Sequence, residues 1–216
     1  MSTDTSSARK RSLGRQTSRE GLELLIGIVA LMWLVEVVNW LDGYRLDSDG
    51  IWPRNFGRLW AIFTSPFIHA NFAPHLLDNT IPFVFMGVII ALAGAARLAW
   101  VTFIVILVGG LGTWLIAPAG TITIGASGVV FGYATYLFTR GLFNRNLIEL
   151  LVGVVVGAVW GGALVSSVIP HTGVSWQAHV CGAVGGVVAA GIMARERPAR
   201  GKSANGQSEG LPAPLS

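Results

Sequence analysis

The sequence contains very little cysteine and very little charge. It has a single cysteine, Cys181, in 216 residues, and only 12% of its residues are charged. One cysteine cannot form an internal disulfide, which excludes a disulfide-stabilised scaffold, and its place in a predicted helix favours a packing role. The low charge comes with 52% hydrophobic residues and a mean hydropathy of +0.61. These values place the chain outside the soluble class and predict an integral membrane protein.

The sequence also lacks the patterns that define most metal sites and transporters. It has no HExxH motif, no cysteine pair and no cluster of acids, so His75 and His179 would lack the other ligands of a zinc or di-metal centre. No internal repeat is visible, although a transporter would be expected to have one. We therefore expect no metal and no cofactor.

Six apolar segments are long enough to serve as membrane helices. A hydrocarbon layer about 30 Å thick needs about 20 apolar residues at a rise of 1.5 Å each. The fourth segment is shorter than this, so it should begin below one membrane surface. The segments are Leu22–Leu41, His75–Ala95, Leu98–Ala117, Ser127–Leu142, Leu147–Ile169 and Trp176–Ala194. They predict an all-α polytopic bundle of six transmembrane helices.

The positions of the basic residues predict how this bundle is oriented. Twelve of the fifteen lysines and arginines fall on one side of the six segments, whereas Arg45, Arg54 and Arg58 fall on the other. The positive-inside rule then places both termini in the cytoplasm. We expect disordered tails over residues 1–19 and 196–216 around a membrane domain of residues 20–195. Because topology explains the excess of basic residues, we infer no nucleic-acid partner. The expected environment of the protein is a lipid bilayer.

Polar residues recur on three of the predicted helices near the outer side. Ser127 begins the fourth helix, His179 is the fourth residue of the sixth, and His75 and Asn79 share one face of the second. GxxxG spacings on the fourth and sixth helices allow their backbones to approach closely. His179 lies on the same stripe as the glycines of the sixth helix, so it should point toward Ser127.

These residue types suit nucleophilic catalysis. A serine hydroxyl needs a hydrogen-bonded base, and histidine, with an ordinary pKa near 6.5, is suited to that task. The developing oxyanion needs donors, for which the Ser127 N–H, the Asn79 amide and the His75 imidazole are candidates. Asp78 is adjacent to Asn79 but should point about 100° away from it, so it is left out of the predicted site.

Three motifs together resemble the rhomboid intramembrane serine proteases, in the compact six-helix form typical of bacteria. They occur in the family's order and on the corresponding helices. The motifs are Gly125-Ala126-Ser127-Gly128 for GxSG, His75-Leu76-Leu77-Asp78-Asn79 for HxxxN, and Ala178-His179-Val180-Cys181-Gly182-Ala183-Val184-Gly185-Gly186 for AHxxGxxxG. The resemblance covers roughly residues 56–194.

The resemblance implies a serine endopeptidase that cleaves transmembrane segments with a Ser–His dyad. Ser127 would be the nucleophile and His179 the general base, while His75 and Asn79, beside Gly125, would serve the oxyanion and the substrate. Phe131 would pack on the His179 ring. Substrates would be single-pass membrane proteins that approach sideways near the fifth helix. The expected location is a bacterial plasma membrane, with the active site opening to the outside; oligomeric state is not predicted.

Several alternatives stay open. A catalytically silent relative that binds transmembrane clients would share the same fold. Gly157, Gly161 and Gly162 on the fifth helix favour close packing over a mobile gate. Glu36 is expected to have a structural partner or to lie near the surface, and His69 and His171 are expected to be loop residues without a role. The first loop, Asp42–Pro74, carries Arg58-Leu59-Trp60 where relatives usually have a Trp-Arg pair.

Overall fold

A computed structural model of the protein describes residues 4–169 and 173–195. Within these ranges the chain forms seven α-helices, which we label in chain order. Their bounds are α1 Asp4–Leu41, α2 Ala61–Thr64, α3 Leu77–Ala91, α4 Ala95–Ile116, α5 Ser127–Asn144, α6 Leu147–Ser166 and α7 Trp176–Arg195. Six of them correspond to the six predicted segments, and α2 is one short turn in the first loop.

The bundle has the composition of a polytopic membrane protein. Four of the described helices are long and apolar enough to cross a membrane, namely Gln16–Leu41, Ala95–Ile116, Leu147–Ser166 and Trp176–Ala194. Helix α5 has 18 residues and spans about 27 Å at 1.5 Å per residue, slightly less than a hydrocarbon layer of about 30 Å. The expectation that this helix begins below one membrane surface stays a prediction.

The N-terminal segment differs from the expected disordered tail. Helix α1 begins at Asp4 and continues without a break to Leu41, whereas a tail without structure was expected over residues 1–19. This stretch contains no proline, and its arginine, lysine and glutamine residues have good helix propensity, so the membrane helix can extend beyond the bilayer. Residues 196–216 and His171 lie outside the described part of the chain.

Helix α3 begins two residues later than predicted. Its expected first residue, His75, lies in a π-helical turn over Phe72–Leu76, which follows a kink where Ala73 has extended angles (φ −134°, ψ 132°). Pro74 disfavours a helical conformation for the residue before it, which accounts for the kink at Ala73. His75 is thus one turn from Asn79, but it precedes the regular helix.

The first loop is ordered by short helical turns and by its arginines. Besides α2, it contains 3₁₀ turns at Arg45–Asp49, Phe56–Arg58 and Ser65–Phe67. The Arg54 side chain donates hydrogen bonds of 2.8 and 2.9 Å to the carbonyls of Leu115 and Ala117, which lie at the end of α4.

An arginine–tryptophan contact is present in this loop, but with a different tryptophan from the one in the Arg58-Leu59-Trp60 motif. The Arg58 guanidinium lies 5.2 Å from the centroid of the Trp52 ring. A cation over an aromatic face is attractive, so the sequence neighbour Trp60 is not needed for the contact.

The tightest packing in the bundle is between α5 and α7. A Cβ atom on Gly182 would collide with the backbone carbonyl of Gly128, and one on Gly186 would collide with that of Gly132. Only glycine fits at these two positions of α7, because any side chain would push the helix backbones apart. The backbones of α5 and α7 therefore touch along two turns, as the GxxxG spacings predict.

Candidate active site

The nucleophile candidate Ser127 is placed by a tight turn before α5. Gly125 has φ +107°, a conformation that favours glycine, and its N–H donates to the Ser65 carbonyl at 2.9 Å. Ser127 is the first residue of α5, so its N–H has no acceptor within the helix. The turn thus presents a hydroxyl and a free backbone donor at one helix start.

Ser127 and His179 are brought together by the α5–α7 interface. His179 Nε2 lies 2.9 Å from Ser127 Oγ, and His179 Nδ1 lies 2.8 Å from the Ser167 carbonyl at the end of α6. A carbonyl oxygen can only accept, so Nδ1 carries the proton and the neutral ring leaves Nε2 as an acceptor for the serine hydroxyl. His179 is 4% exposed. This geometry is that of an oriented, desolvated base beside a hydroxyl.

Phe131 holds the imidazole from one side. Its ring stacks on the His179 ring with a centroid distance of 4.3 Å and an interplanar angle of 3°. Phe131 is one turn after Ser127 on α5, so the serine and the stacking ring face α7 together. The stack limits rotation of the imidazole about its side-chain bonds.

His75 and Asn79 face the same cavity as the serine and histidine. This cavity has a volume of about 340 Å³, and Gly125, Ser127, Ser167 and His179 also line it. A Cβ atom on Gly125 would lie 3.9 Å from Nδ2 of Asn79, so the amide faces the turn before Ser127. All of the predicted site residues except Phe131 therefore line one cavity, and Phe131 lies behind the imidazole.

Asp78, which the sequence argument left out, also lines this cavity. It is three residues after His75, and positions three apart share a side of a helical turn. The cavity is wide enough to reach beyond the face that carries Asn79. The angular argument against Asp78 was therefore wrong about its location.

A second cavity continues from the first along the loops before α5 and α7. It has a volume of about 560 Å³. Four residues line both cavities, and they come from the two loops: Ile124, Gly173, Val174 and Ser175. The two cavities form a groove that passes the Ser127 hydroxyl.

His69 was expected to be a loop residue without a role, but it is buried beside the site. It is 1% exposed, and its Nε2 accepts a hydrogen bond of 3.2 Å from the Ala126 N–H, next to Ser127. Burial, with a smaller contribution from the nearby His75, lowers the pKa of His69 to about 4. The ring is thus neutral at ordinary pH, which leaves the lone pair on Nε2 that this bond requires. No spacing rule in the sequence connects His69 to Ala126.

Helix α1 supports His69 through its polar end. The Asn39 side chain is fully buried and donates 3.1 Å to the His69 carbonyl. Glu36, one turn earlier, is also fully buried, and neither of its carboxyl oxygens has a hydrogen-bond partner among the described residues. The structure gives Glu36 no hydrogen-bonded partner among the described residues, and its position near the outer membrane surface stays a prediction.

The side of the cavity formed by α6 is packed loosely. A Cβ atom on Gly157, Gly161 or Gly162 would meet nothing within 4 Å, so the close packing predicted for these glycines is absent. The Trp160 ring lies 4.7 Å from the Phe85 ring of α3. This aromatic pair connects α6 with α3.

The described residues contain no group of three histidine, cysteine, aspartate or glutamate side chains placed to hold a metal ion. The cavity is lined by the serine, the two histidines and the amide of the predicted site. These side chains can supply a nucleophile, a base and hydrogen-bond donors.

Comparison with known proteins gives a consistent result. The Rhomboid domain model matches residues 57–196. An uncharacterized protein of Mycobacterium tuberculosis (strain H37Rv) is 42% identical over 218 residues, which cover 94% of this chain and 90% of that protein. An uncharacterized protein of Mycobacterium leprae is 42% identical over 186 residues, 82% of this chain and 73% of its own. The Bacillus subtilis protein named "Putative rhomboid protease YdcA" is 28% identical over 188 residues, 82% of this chain and 89% of its own.

Proposed function

The chain belongs to the rhomboid family, and from that premise we propose that it is an intramembrane serine endopeptidase that cleaves transmembrane segments with a Ser127–His179 dyad. The observation that carries the proposal is the distance of 2.9 Å between Ser127 Oγ and His179 Nε2. Hydrogen bonding of Nδ1 to the Ser167 carbonyl supplies the orientation that a carboxylate provides in a triad. A dyad without an acid can thus have a fixed tautomer.

The reaction would proceed by acyl transfer. His179 Nε2 takes the hydroxyl proton as Ser127 Oγ attacks the peptide carbonyl, and the tetrahedral oxyanion forms beside the Ser127 N–H, Asn79 and His75. The imidazolium returns its proton to the departing amine, which breaks the C–N bond and leaves an acyl-serine. A water molecule, deprotonated by His179, then attacks the acyl carbon and releases the new carboxyl end and the serine hydroxyl. No cofactor takes part in any of these steps.

Substrates would be single-pass membrane proteins that approach between α3 and α6. The loose α6 face, with its unpacked glycines and the Phe85–Trp160 contact, supports this direction. Cleavage would require local unwinding of the substrate helix, since helical hydrogen bonds shelter the peptide bond. We therefore expect small, helix-destabilising residues near the cleavage site. With both chain termini in the cytoplasm, the cavity would open to the outer side of a bacterial plasma membrane.

The second candidate is a catalytically silent relative that binds transmembrane clients. It would use the same groove without cutting. The retention of both dyad side chains at hydrogen-bond distance favours the protease. Reaction with an active-site probe separates the two.

The deciding experiment is labelling with a fluorophosphonate, which reacts with activated serines, combined with cleavage of a transmembrane reporter in liposomes. The wild type is expected to react with the probe and to cut the reporter. Ser127→Ala and His179→Ala should each lose both activities, because the first removes the nucleophile and the second its base. Retained cutting by Ser127→Ala, or a wild type inert to probe and reporter, would contradict the protease assignment.

Asn79 tests the oxyanion site separately. Loss of one donor to an oxyanion costs on the order of 100- to 1000-fold in kcat, so Asn79→Ala should fall by about 10- to 1000-fold in kcat with little change in KM. Thr80→Ala, one position further on α3, is the matched control, because its hydroxyl donates to the Leu76 carbonyl and it does not line the cavity. An unchanged kcat in Asn79→Ala would remove Asn79 from the oxyanion site.

A further inference from the structure

The aspartates at the end of the bundle where α5 begins, which we call the site end, differ in whether the protein neutralises them. Three of the four have a polar partner, whereas the Asp78 side chain has none among the described residues. The three pairs are Asp42 with Arg45 at 3.6 Å, Asp49 with Arg58 at 3.6 Å, and Asp47 with Asn39 at 2.9 Å. Asp78 is therefore the exception in this set.

No arginine at the site end is free to neutralise Asp78. Arg45 and Arg58 are held by the aspartates just named, and Arg54 is held by carbonyls at the end of α4. The charge of Asp78 is thus left without a cationic partner in the described structure. It is available to whatever occupies the space next to it.

That space is the cavity containing Ser127 and His179. Among the described residues that line it, Asp78 is the only aspartate, glutamate, lysine or arginine. The Asp78 side chain is exposed, so its carboxylate is open to solvent. The cavity therefore has one fixed formal charge, and it is negative.

Helix capping explains part of this arrangement but not all of it. Asp78 is in the first turn of α3, where a negative charge interacts favourably with the helix dipole. That effect depends on position along α3 and does not require the side chain to line a cavity. It also leaves unexplained why the partnered aspartates lie outside the cavity lining and the unpartnered one lies within it.

We propose that Asp78 selects substrates by charge, favouring a transmembrane segment with a lysine or arginine near the scissile bond and disfavouring one with an acidic residue there. The inference depends on the proposed protease function and names its substrate class. A long basic side chain can extend from a membrane helix toward the polar surface and reach an exposed carboxylate. Basic residues are uncommon on the outer side of membrane proteins, so this preference would restrict the substrate set.

Coulomb's law sets the size of the effect. Two unit charges about 6 Å apart near a protein surface interact strongly enough to change kcat/KM by roughly 3- to 10-fold when water screens them well. Attraction of a basic residue and repulsion of an acidic one add, so the ratio between lysine and glutamate substrates should be about 10- to 100-fold. Salt should reduce this ratio.

The test is a set of reporter substrates in liposomes that differ only in having lysine, glutamine or glutamate at one position, scanned across the residues flanking the cleavage site. Wild type should cut in the order lysine, glutamine, glutamate at one or more of these positions. Asp78→Asn should bring the lysine-to-glutamate ratio of kcat/KM close to one, and Asp78→Lys should invert it. The matched control, Asp42→Asn, removes a partnered aspartate of the site end and should retain the wild-type ratio.

The salt dependence of the wild-type ratio keeps the proposal testable if the variants do not fold. The ratio should fall as salt rises. Equal cutting of the lysine and glutamate substrates at every position, or a preference that persists in Asp78→Asn or at high salt, overturns the role of Asp78. In those cases a wild type that still reacts with the fluorophosphonate and cuts the glutamine substrate leaves the protease function standing. A wild type inert to both overturns the two proposals together.

Discussion

Helix α7 and the C-terminal half of α6, which both lie beside α5, are packed in opposite ways. On one side, α7 touches α5 backbone to backbone, and a methyl group on Gly182 or Gly186 would collide with the facing helix. On the other side, the last three glycines of α6 have open space where a methyl group would be, and Trp160 meets a single ring of α3. Earlier on α6, Gly153 packs against the α5 backbone at Phe138, so the open space is confined to the half of α6 nearer Ser167.

The difference corresponds to two requirements of the proposed chemistry. Ser127 and His179 need a fixed distance, which close-packed backbones provide because interiors at native density resist deformation. A transmembrane substrate needs a side of the bundle that can open, and segments with few buried contacts open at low cost. The bond from His179 Nδ1 to the Ser167 carbonyl at the end of α6 links the two sides. Opening α6 therefore also acts on the orientation of the base.

The largest effect is expected from adding a side chain to the tight face. Gly182→Val must displace α7 from the Gly128 backbone, which separates His179 from Ser127. Misplacement of catalytic groups by about 1 Å costs on the order of 100-fold, so fluorophosphonate labelling should fall at least about 100-fold. Overpacking should also lower the free energy of unfolding by about 1–3 kcal/mol. Labelling rate and denaturation in detergent measure both.

The matched variant on the loose face is Gly161→Val. With nothing within 4 Å of its Cβ position, the added side chain should change labelling and the free energy of unfolding little, by about 0.5 kcal/mol or less. Equal effects of Gly182→Val and Gly161→Val on labelling and on the free energy of unfolding would show that the two faces do not differ in packing energy.

His69 offers a smaller perturbation of the tight side. His69→Leu leaves the Ala126 N–H buried without an acceptor, which costs about 1–3 kcal/mol and should reorient the peptide before Ser127. We expect a loss of roughly 10-fold in kcat with KM nearly unchanged. His69→Gln retains an oxygen acceptor of similar reach and should recover part of the rate. A kcat in His69→Leu equal to that of the wild type would show that this hydrogen bond does not position the nucleophile.

The lowered pKa of His69 also makes the free energy of unfolding of the wild type depend on pH. The unfolded ring titrates near 6.5, whereas burial holds the folded ring near pH 4. Between these values the unfolded chain binds a proton that the folded protein does not, so the free energy of unfolding falls as pH decreases from 6.5 toward 4. His69→Gln should lose this part of the acid destabilisation, which thermal unfolding at several pH values would measure.

The fold and the proximity of Ser127 and His179 were predictable because both follow from patterns within single helices. Apolar length predicts the helices, and the GxxxG spacings predict which of them touch. His69 was not predictable, because its bond to Ala126 joins residues 57 apart through an irregular loop, which has no periodicity to read. The glycines of α6 were misinterpreted for a related reason. A small residue in a membrane helix indicates close packing or an unfilled space equally well, and only the position of the neighbouring helix distinguishes them.

The smallest effect is expected from loosening the open face further. Trp160→Ala removes the ring contact with Phe85, and an aromatic pair contributes about 0.5–1.5 kcal/mol. If substrate approaches between α3 and α6, the open form becomes more populated by about 2- to 10-fold, and kcat/KM for a transmembrane reporter should rise accordingly. A small fluorophosphonate needs no such opening, so its labelling rate should not rise in parallel. Trp100→Ala, an exposed position on α4, is the matched control and should behave as wild type. A Trp160→Ala variant with unchanged reporter cleavage would mean that substrates approach elsewhere, although the tight face could still hold the dyad as described.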